Sequence, residues 1–205
     1  MRNLHRIARR ASVVCAAAGL AAIGYGSYVV VDAKMYQRRE AQRFERARSE
    51  TAASALAMAP AAPGPVAPPV PRDGESMGEI SIPRLQLAVM IAQGDSVAIL
   101  ERAVGHLPAT ALPGQTGNVV LAGHRDTFFR PLKDIRLGDT ITLKTPYGDF
   151  DYTVESTSVV KPTDVQVLEP TGGETLTLVT CFPFYYVGPA PNRFIVRARY
   201  QSVGR

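Results

Sequence analysis

Cys181 is the residue of this chain whose type and position best suit a nucleophile. It ends the apolar run ETLTLVTC, and the only other cysteine, Cys15, lies in an uncharged N-terminal segment that cannot reach it. A thiol without a disulfide partner, in a domain outside the cytoplasm, is a candidate nucleophile. The alternative is a small buried hydrophobe, which is the ordinary use of a lone cysteine at a strand end.

A thiol nucleophile needs a proton-transfer partner and a group that stabilises the oxyanion. His124 follows the apolar run GNVVLAG, so it stands at a strand end as Cys181 does. Arg193 opens the last predicted strand, and the Pro/Gly-rich loop before it can fold back towards the thiol. His106, between a predicted helix and a proline, is expected to serve a turn or a cap. For Arg193 alone, a structural role is the commoner case.

Metal, cofactor and nucleic-acid functions are not predicted. One cysteine and two histidines do not form a familiar zinc spacing, so the sequence predicts no metal site and no cofactor. From Gly74 onward, 12 Lys and Arg face 13 Asp and Glu, so the net charge of +5 resides in the N-terminal arm. This distribution lacks the basic surface of a nucleic-acid-binding domain.

The N-terminus is typical of a membrane anchor. Residues 1–10 hold four arginines, and residues 11–31 form an uncharged run long enough to cross about 30 Å of hydrocarbon. A signal peptide has a shorter apolar region that ends at a small-residue site, which favours an uncleaved anchor. Six Lys and Arg at 32–48 argue against a cytoplasmic N-terminus, but long C-terminal domains translocate regardless of charge. We therefore expect a single-pass protein with an extracytoplasmic domain.

Two segments follow the anchor. Residues 32–58 contain no Gly or Pro and are rich in Ala, Arg, Glu and Gln, which predicts a solvated helical stalk. Residues 59–74 are rich in Pro and Ala and predict a semi-rigid linker. Anchor, stalk and linker would together hold the domain away from the membrane.

Residues 75–205 are predicted to form a mainly β domain. Short apolar runs bounded by Gly, Pro, Asn or Asp predict seven or eight strands. DSVAILERAVGHLP is the one predicted helix, with Val97, Leu100 and Val104 on one face. Seven or eight strands with one or two short helices indicate a small closed or half-closed barrel.

The strings GNVVLAGHRDTFF, TLVTC and NRFIV, in this order, resemble the sortases, which are membrane-anchored cysteine transpeptidases of bacterial cell envelopes. The resemblance covers roughly residues 78–200 and is greatest to classes D and E. It implies an eight-stranded β barrel behind an N-terminal transmembrane helix. It also implies His124 as the acid and base, Cys181 as the nucleophile and Arg193 as the oxyanion-stabilising or substrate-orienting residue.

The resemblance further implies a reaction and its partners. Cys181 would cleave an LPxTG-like sorting signal through a thioester, and an amine on the cell envelope or on a pilin would accept the acyl part. LPATA and LPGQT, at residues 107–116, resemble such signals themselves. They lack a following hydrophobic segment and basic tail, so we expect a turn that leads into the His124 strand.

Two other functions stay open on the sequence alone. One is a different envelope cysteine peptidase or hydrolase, although no Ser-x-Gly-Cys or Cys-Gly-x-Cys-Trp string occurs. The other is a non-catalytic envelope barrel that binds peptides. The positions of His124 and Arg193 relative to Cys181 in the fold distinguish them.

Overall fold

The computed structural model describes residues 2–57, 70–186 and 188–201, and its strands close into one barrel. Around the barrel the strand order is β1-β2-β3-β4-β7-β8-β6-β5. This confirms the predicted eight-stranded barrel. The strands are β1 (Ser76–Ile82), β2 (Leu87–Gln93), β3 (Val104–His106), β4 (Gly117–Ala122), β5 (Thr140–Thr145), β6 (Gly148–Val160), β7 (Glu174–Phe182) and β8 (Asn192–Tyr200).

The barrel interior is filled by side chains that alternate along the strands. In β1 and β7 every second residue points inward, and these residues join one apolar core. Burying such a side chain stabilises the fold by about 1.5–3 kcal/mol, so the pattern fixes which face of each strand is inside. The inward residues of these two strands include Ile80, Ile82, Leu176 and Leu178.

The predicted helix at 95–108 is wrong over its second half. Only α2 (Val97–Leu100) is helical, and Val97 is 72% exposed rather than part of an apolar face. Val104 begins β3, pairs in parallel with Ile91 of β2 and is fully buried. This short strand closes the sheet between β2 and β4, and that tertiary requirement overrides the weak helical spacing.

Three neighbouring strands carry the predicted site residues. β4 and β7 are parallel, with Val119 opposite Leu176 and Ala122 opposite Val179. β8 runs antiparallel to β7 on its other side. Because parallel strands end at the same edge, the residues that follow β4 and those that end β7 come together.

One unbroken helix, α1 (Arg2–Ala57), includes both the predicted anchor and nearly all of the predicted stalk. Within the described residues it is the one helix long and apolar enough to cross a membrane. The side chains of its apolar window are not covered by the barrel. Positions 59–69 of the predicted linker, which runs from 59 to 74, lie outside the described residues.

One face of α1 lies against the barrel, which differs from the expected solvated stalk. Gln37 accepts a hydrogen bond from the Met90 backbone N–H at 2.8 Å and donates one to the Arg102 carbonyl at 2.7 Å. Phe44 is only 7% exposed. Arg48 forms an ion pair with Asp149 at 2.6 Å.

The helix crosses four strands on their outer faces. Met90, Glu79, Lys144 and Asp149 are successive register partners on β2, β1, β5 and β6. Three strand spacings cover about 14 Å, and the eleven residues from the Met90 contact to the Asp149 contact span about 16 Å of helix. The two lengths agree, so α1 runs along this line. Coverage by α1 explains why Met90, whose side chain points outward from the barrel, is only 2% exposed.

Replacing Phe44 with Ala should loosen α1 from the barrel without unfolding the barrel. Loss of the buried ring removes about 2 kcal/mol from the docked state, so hydrogen exchange at the Met90 amide, whose N–H is bonded to Gln37 of α1, should accelerate by up to about 30-fold. The measurement is amide exchange of the full chain in detergent micelles, followed by mass spectrometry. Met35→Ala, at an exposed helix position, is the matched control and should change nothing. Equal exchange in wild type and Phe44→Ala would contradict the docking.

Candidate active site

Cys181 and Arg193 are brought together by the β7–β8 pairing. They are direct register partners in an antiparallel ladder that continues without a break from Thr175 to Phe182. Directly opposed residues point to the same face with Cβ atoms about 4.5–5.5 Å apart. The structure therefore places the predicted nucleophile and the predicted arginine side by side.

This pair lies on the outer face of the barrel. Leu176 and Leu178 point into the core, so Cys181, an odd number of residues away, points outward. Cys181 is half-buried and carries no disulfide. Cys181 lies one residue before the end of β7, in agreement with its predicted strand-end position, and the register places its side chain on the outer surface of the barrel.

His124 follows β4 at the level of Cys181. The parallel ladder continues past the strand end, because the Gly123 N–H donates to the Val179 carbonyl at 3.1 Å. The Thr180 hydroxyl donates back to the Gly123 carbonyl at 2.7 Å. Extending the Ala122–Val179 register by two residues puts His124 level with Cys181, one strand spacing of about 5 Å away.

Buried packing fixes the chain on both sides of His124. A Cβ at Gly123 would lie 2.8 Å from the Phe129 ring, so only glycine fits there. Phe129 is fully buried, and its N–H donates to the His124 carbonyl at 3.0 Å. Phe129, the second Phe after HRDT, thus anchors the turn that presents His124.

The connection between β6 and β7 covers part of the same outer face. It contains a 3₁₀ helix, Val165–Leu168. Asn118 and Arg197 both donate to the Val167 carbonyl, at 3.1 and 3.0 Å, and Asn118 accepts from the Thr177 hydroxyl at 2.7 Å. These bonds hold the connection over the half of the sheet below Cys181. Cys181 and Arg193, in the other half, are both partly exposed.

Two arginines hold the loop between β7 and β8. Arg193 donates to the carbonyls of Ala190 and Asn192, at 3.4 and 3.0 Å. Arg125, the neighbour of His124, donates to the carbonyls of Pro183, Tyr186 and Gly188. Sequence reasoning missed Arg125 because its partners lie some 60 residues away; its position next to His124 was the only available signal.

His106 does not join the site. It is fully buried at the end of β3, with Nδ1 2.8 Å from the Gln93 side-chain amide and Nε2 2.9 Å from the Ala111 carbonyl. Both partner atoms, Gln93 Oε1 and the Ala111 carbonyl oxygen, accept, so the neutral ring with its one N–H donates to one of them. The expected turn-stabilising role agrees with the Ala111 contact, but His106 belongs to a strand rather than following a helix.

A cleft elsewhere on the barrel holds none of the predicted site residues. Its volume is about 750 Å³, and it lies between the segment that enters β1 and the turn after β5. Its lining combines apolar Pro, Leu, Met and Tyr side chains with Arg72, Asp73, Glu75 and Ser76. Across the described parts of the chain, no three His, Cys, Asp or Glu side chains gather.

A family model described as the sortase domain matches residues 80–201. Sortase D of Bacillus subtilis is 37% identical over 127 residues, which cover 62% of this chain and 64% of that protein. Sortase SrtE1 of Streptomyces coelicolor is 36% identical over 129 residues, covering 54% of this chain and 37% of the relative. The chain spans less than two thirds of the length of either relative.

Solved structures give the same picture. A sortase D5 transpeptidase from Clostridium perfringens superposes with a TM-score of 0.64 at 26% identity, covering 84% of this chain and 99% of that one. Sortase C from the same species, solved with the C-terminal cell wall sorting motif, gives 0.59 at 29% identity, with 64% and 74% covered. Both likenesses agree with the resemblance noted from the sequence.

Stability should fall in mild acid because of His106. Burial lowers the pKa of His106 below its ordinary value of 6.5, so the unfolded chain binds a proton that the folded chain rejects. The free energy of unfolding should therefore decrease as pH falls below about 6.5, by at most about 1.4 kcal/mol per pH unit, and stay level above it. Denaturant unfolding of wild type and His106→Gln between pH 4.5 and 8 tests this. The variant should be less stable at every pH, but its free energy of unfolding should lack the decrease below about pH 6.5. An equal decrease in wild type and in the variant would contradict the role of His106.

Proposed function

The chain belongs to the sortase family, and on that premise we propose that it is a cysteine transpeptidase of the class D or E type. Its substrate is an LPxTG-like sorting signal on another protein, and its product is that protein joined to an amine. Anchoring or assembly of surface proteins is the outcome. Residues 75–205 would form the catalytic domain.

The first half of the reaction is acylation. The Cys181 thiolate attacks a backbone carbonyl of the sorting signal, and a C–S bond forms while the C–N bond breaks. The C-terminal fragment leaves as an amine, with a proton from the His124 imidazolium. The acyl part remains on Cys181 as a thioester.

The second half reverses these roles. A second amine attacks the thioester carbonyl and gives its proton to the His124 imidazole, and the Cys181 thiolate leaves. The acceptor amine would lie on the cell envelope or on a pilin subunit. No redox partner or cofactor is needed, since atoms and charges balance with these two side chains and the two amines.

The observation that supports this proposal is the register of the strands that hold the three residues. Cys181 and Arg193 are cross-strand partners, and the β4–β7 ladder, which ends at Ala122 and Val179, would bring His124 level with Cys181 if continued by two residues. A peptide-binding barrel without catalysis has no need of a thiol, an imidazole and a guanidinium at one level of three adjacent strands. Arg193 would orient the substrate or stabilise the oxyanion beside the thiol.

The membrane placement is part of the same proposal. Residues 11–31 would anchor the chain by a single span, with the basic residues 1–10 on the cytoplasmic side. The catalytic domain would then lie outside the cytoplasm, where sorting signals of exported proteins are met. The helix that satisfies the length requirement is α1.

Trapping the acyl-enzyme tests the activity. Wild type, incubated with a panel of LPxTG-like peptides, should gain the mass of the acyl part, and hydroxylamine should release it. Cys181→Ala should gain no mass and still bind peptide, whereas Cys15→Ala should behave as wild type. If no peptide yields an adduct while iodoacetamide still alkylates Cys181, the transpeptidase proposal is wrong.

Substitution of the two partners should separate their roles. His124→Ala removes the proton donor and acceptor, so the acyl-transfer rate should fall by about 10²–10⁴-fold. Arg193→Lys retains the charge but loses the planar fork of donors. We expect Arg193→Lys to lose nearly as much activity as Arg193→Ala, in steady-state assays with one peptide. Near-normal transfer by Arg193→Ala would remove Arg193 from the site.

A further inference from the structure

We propose that Arg125 is a positioning residue that fixes the β7–β8 loop as one wall of the substrate groove. It does so by binding backbone carbonyls of that loop, without touching the reacting atoms. This inference rests on the proposed function, because it assigns a role in holding the peptide substrate of the same site. It concerns a residue distinct from the three already proposed.

The contacts of Arg125 all reach one loop. Its Nη1 donates to the Pro183 carbonyl at 2.9 Å, and its Nη2 donates to the carbonyls of Tyr186 and Gly188 at 2.7 and 3.2 Å. Its guanidinium also lies over the Tyr186 ring, 5.7 Å from the centroid. The three acceptor carbonyls lie between positions 183 and 188, so a single side chain binds the loop at three points.

Such carbonyls need a partner that the loop itself does not supply. Its described residues, 183–186 and 188–191, form no regular secondary structure, and Tyr185 is 72% exposed. A guanidinium offers five N–H groups in a fixed plane, so it can bind several carbonyls at once. Arg125 thereby replaces the ladder bonds that a strand would have made.

The position of Arg125 ties this loop to the chemistry. It follows His124, whose own turn is anchored by Phe129. The loop begins at Pro183, two residues after Cys181, and its far end is held by Arg193 through Ala190 and Asn192. The loop is thus fastened from the β4 side by Arg125 and from the β8 side by Arg193, beside the nucleophile.

Loosening one wall of a groove weakens substrate binding in the ground state and in the transition state alike. Such a loss raises KM and leaves kcat nearly unchanged. A group acting on the reacting atoms would instead lower kcat, and a residue serving only global stability would alter neither constant in the folded enzyme. The two kinetic constants therefore distinguish the three roles.

The test is steady-state transfer of one LPxTG-like peptide by Arg125→Met, which keeps the apolar stem and removes every donor. We expect a roughly tenfold rise in KM with kcat within about threefold of wild type. The pH profile of Cys181 alkylation by iodoacetamide, without peptide, should match wild type. Arg136→Met is the matched control: Arg136 is an exposed arginine of the β4–β5 connection that donates no hydrogen bond to the described residues of this loop, and the change should leave both constants within about twofold.

Arg125→Lys provides a second measurement if the Met variant does not fold. Its single ammonium cannot span three carbonyls, so KM should still rise at least threefold, by the same loss of uniform binding. A wild-type KM in both folded variants, or a fall in kcat at unchanged KM, would overturn the positioning role. Failure of wild type to form a thioester would instead reject the proposed function, so the two failures are distinguishable.

Discussion

The parallel pairing of β4 with β7 is the constraint on which the site depends. Parallel neighbours end at the same edge, and the Gly123 and Thr180 bonds extend that pairing beyond the last strand residue. His124 and Cys181 are 57 residues apart in sequence, and no local structure could bring them to one level. A parallel pair also requires a long crossover, here the chain through β5 and β6, whose closure costs entropy that the core must offset.

The filled interior explains why the chemistry lies outside the barrel. Leu176, Leu178 and their inward neighbours leave no lumen, so a substrate can reach only the outer face of β4, β7 and β8. That face is itself half covered, because Asn118 and Arg197 bind the β6–β7 connection through Val167. The proposed substrate groove is therefore the part of the outer face that lies between this connection and the β7–β8 loop, which Arg125 and Arg193 hold.

The sequence predicted what is local or alternating and missed what depends on distant contacts. Seven strands stood out because Gly, Pro, Asn and Asp bound them, and the eighth, β3, is too short to show a period. Cys181, His124 and Arg193 were predicted as site residues from their strand-end positions, and their roles stay a prediction. Arg125 was not, since a guanidinium on loop carbonyls leaves no periodic pattern. The face of α1 that contacts the barrel did leave a periodic pattern, because Gln37, Phe44 and Arg48 recur at helical spacing. One aromatic residue among charged residues is, however, a weak signal of a buried face.

Because α1 is unbroken and contacts the barrel, this helix rather than a stalk and linker would set the distance between the barrel and the membrane. Asp32, the first residue after the uncharged run, forms an ion pair at 2.8 Å with Arg102 of the segment that enters β3. With residues 11–31 in a bilayer, as we propose, the barrel begins where the span ends, rather than at the far end of a stalk and linker. Because α1 contacts the barrel at Asp32, Gln37 and Arg48, the orientation of the proposed site relative to the membrane would follow from the helix and not from the predicted linker.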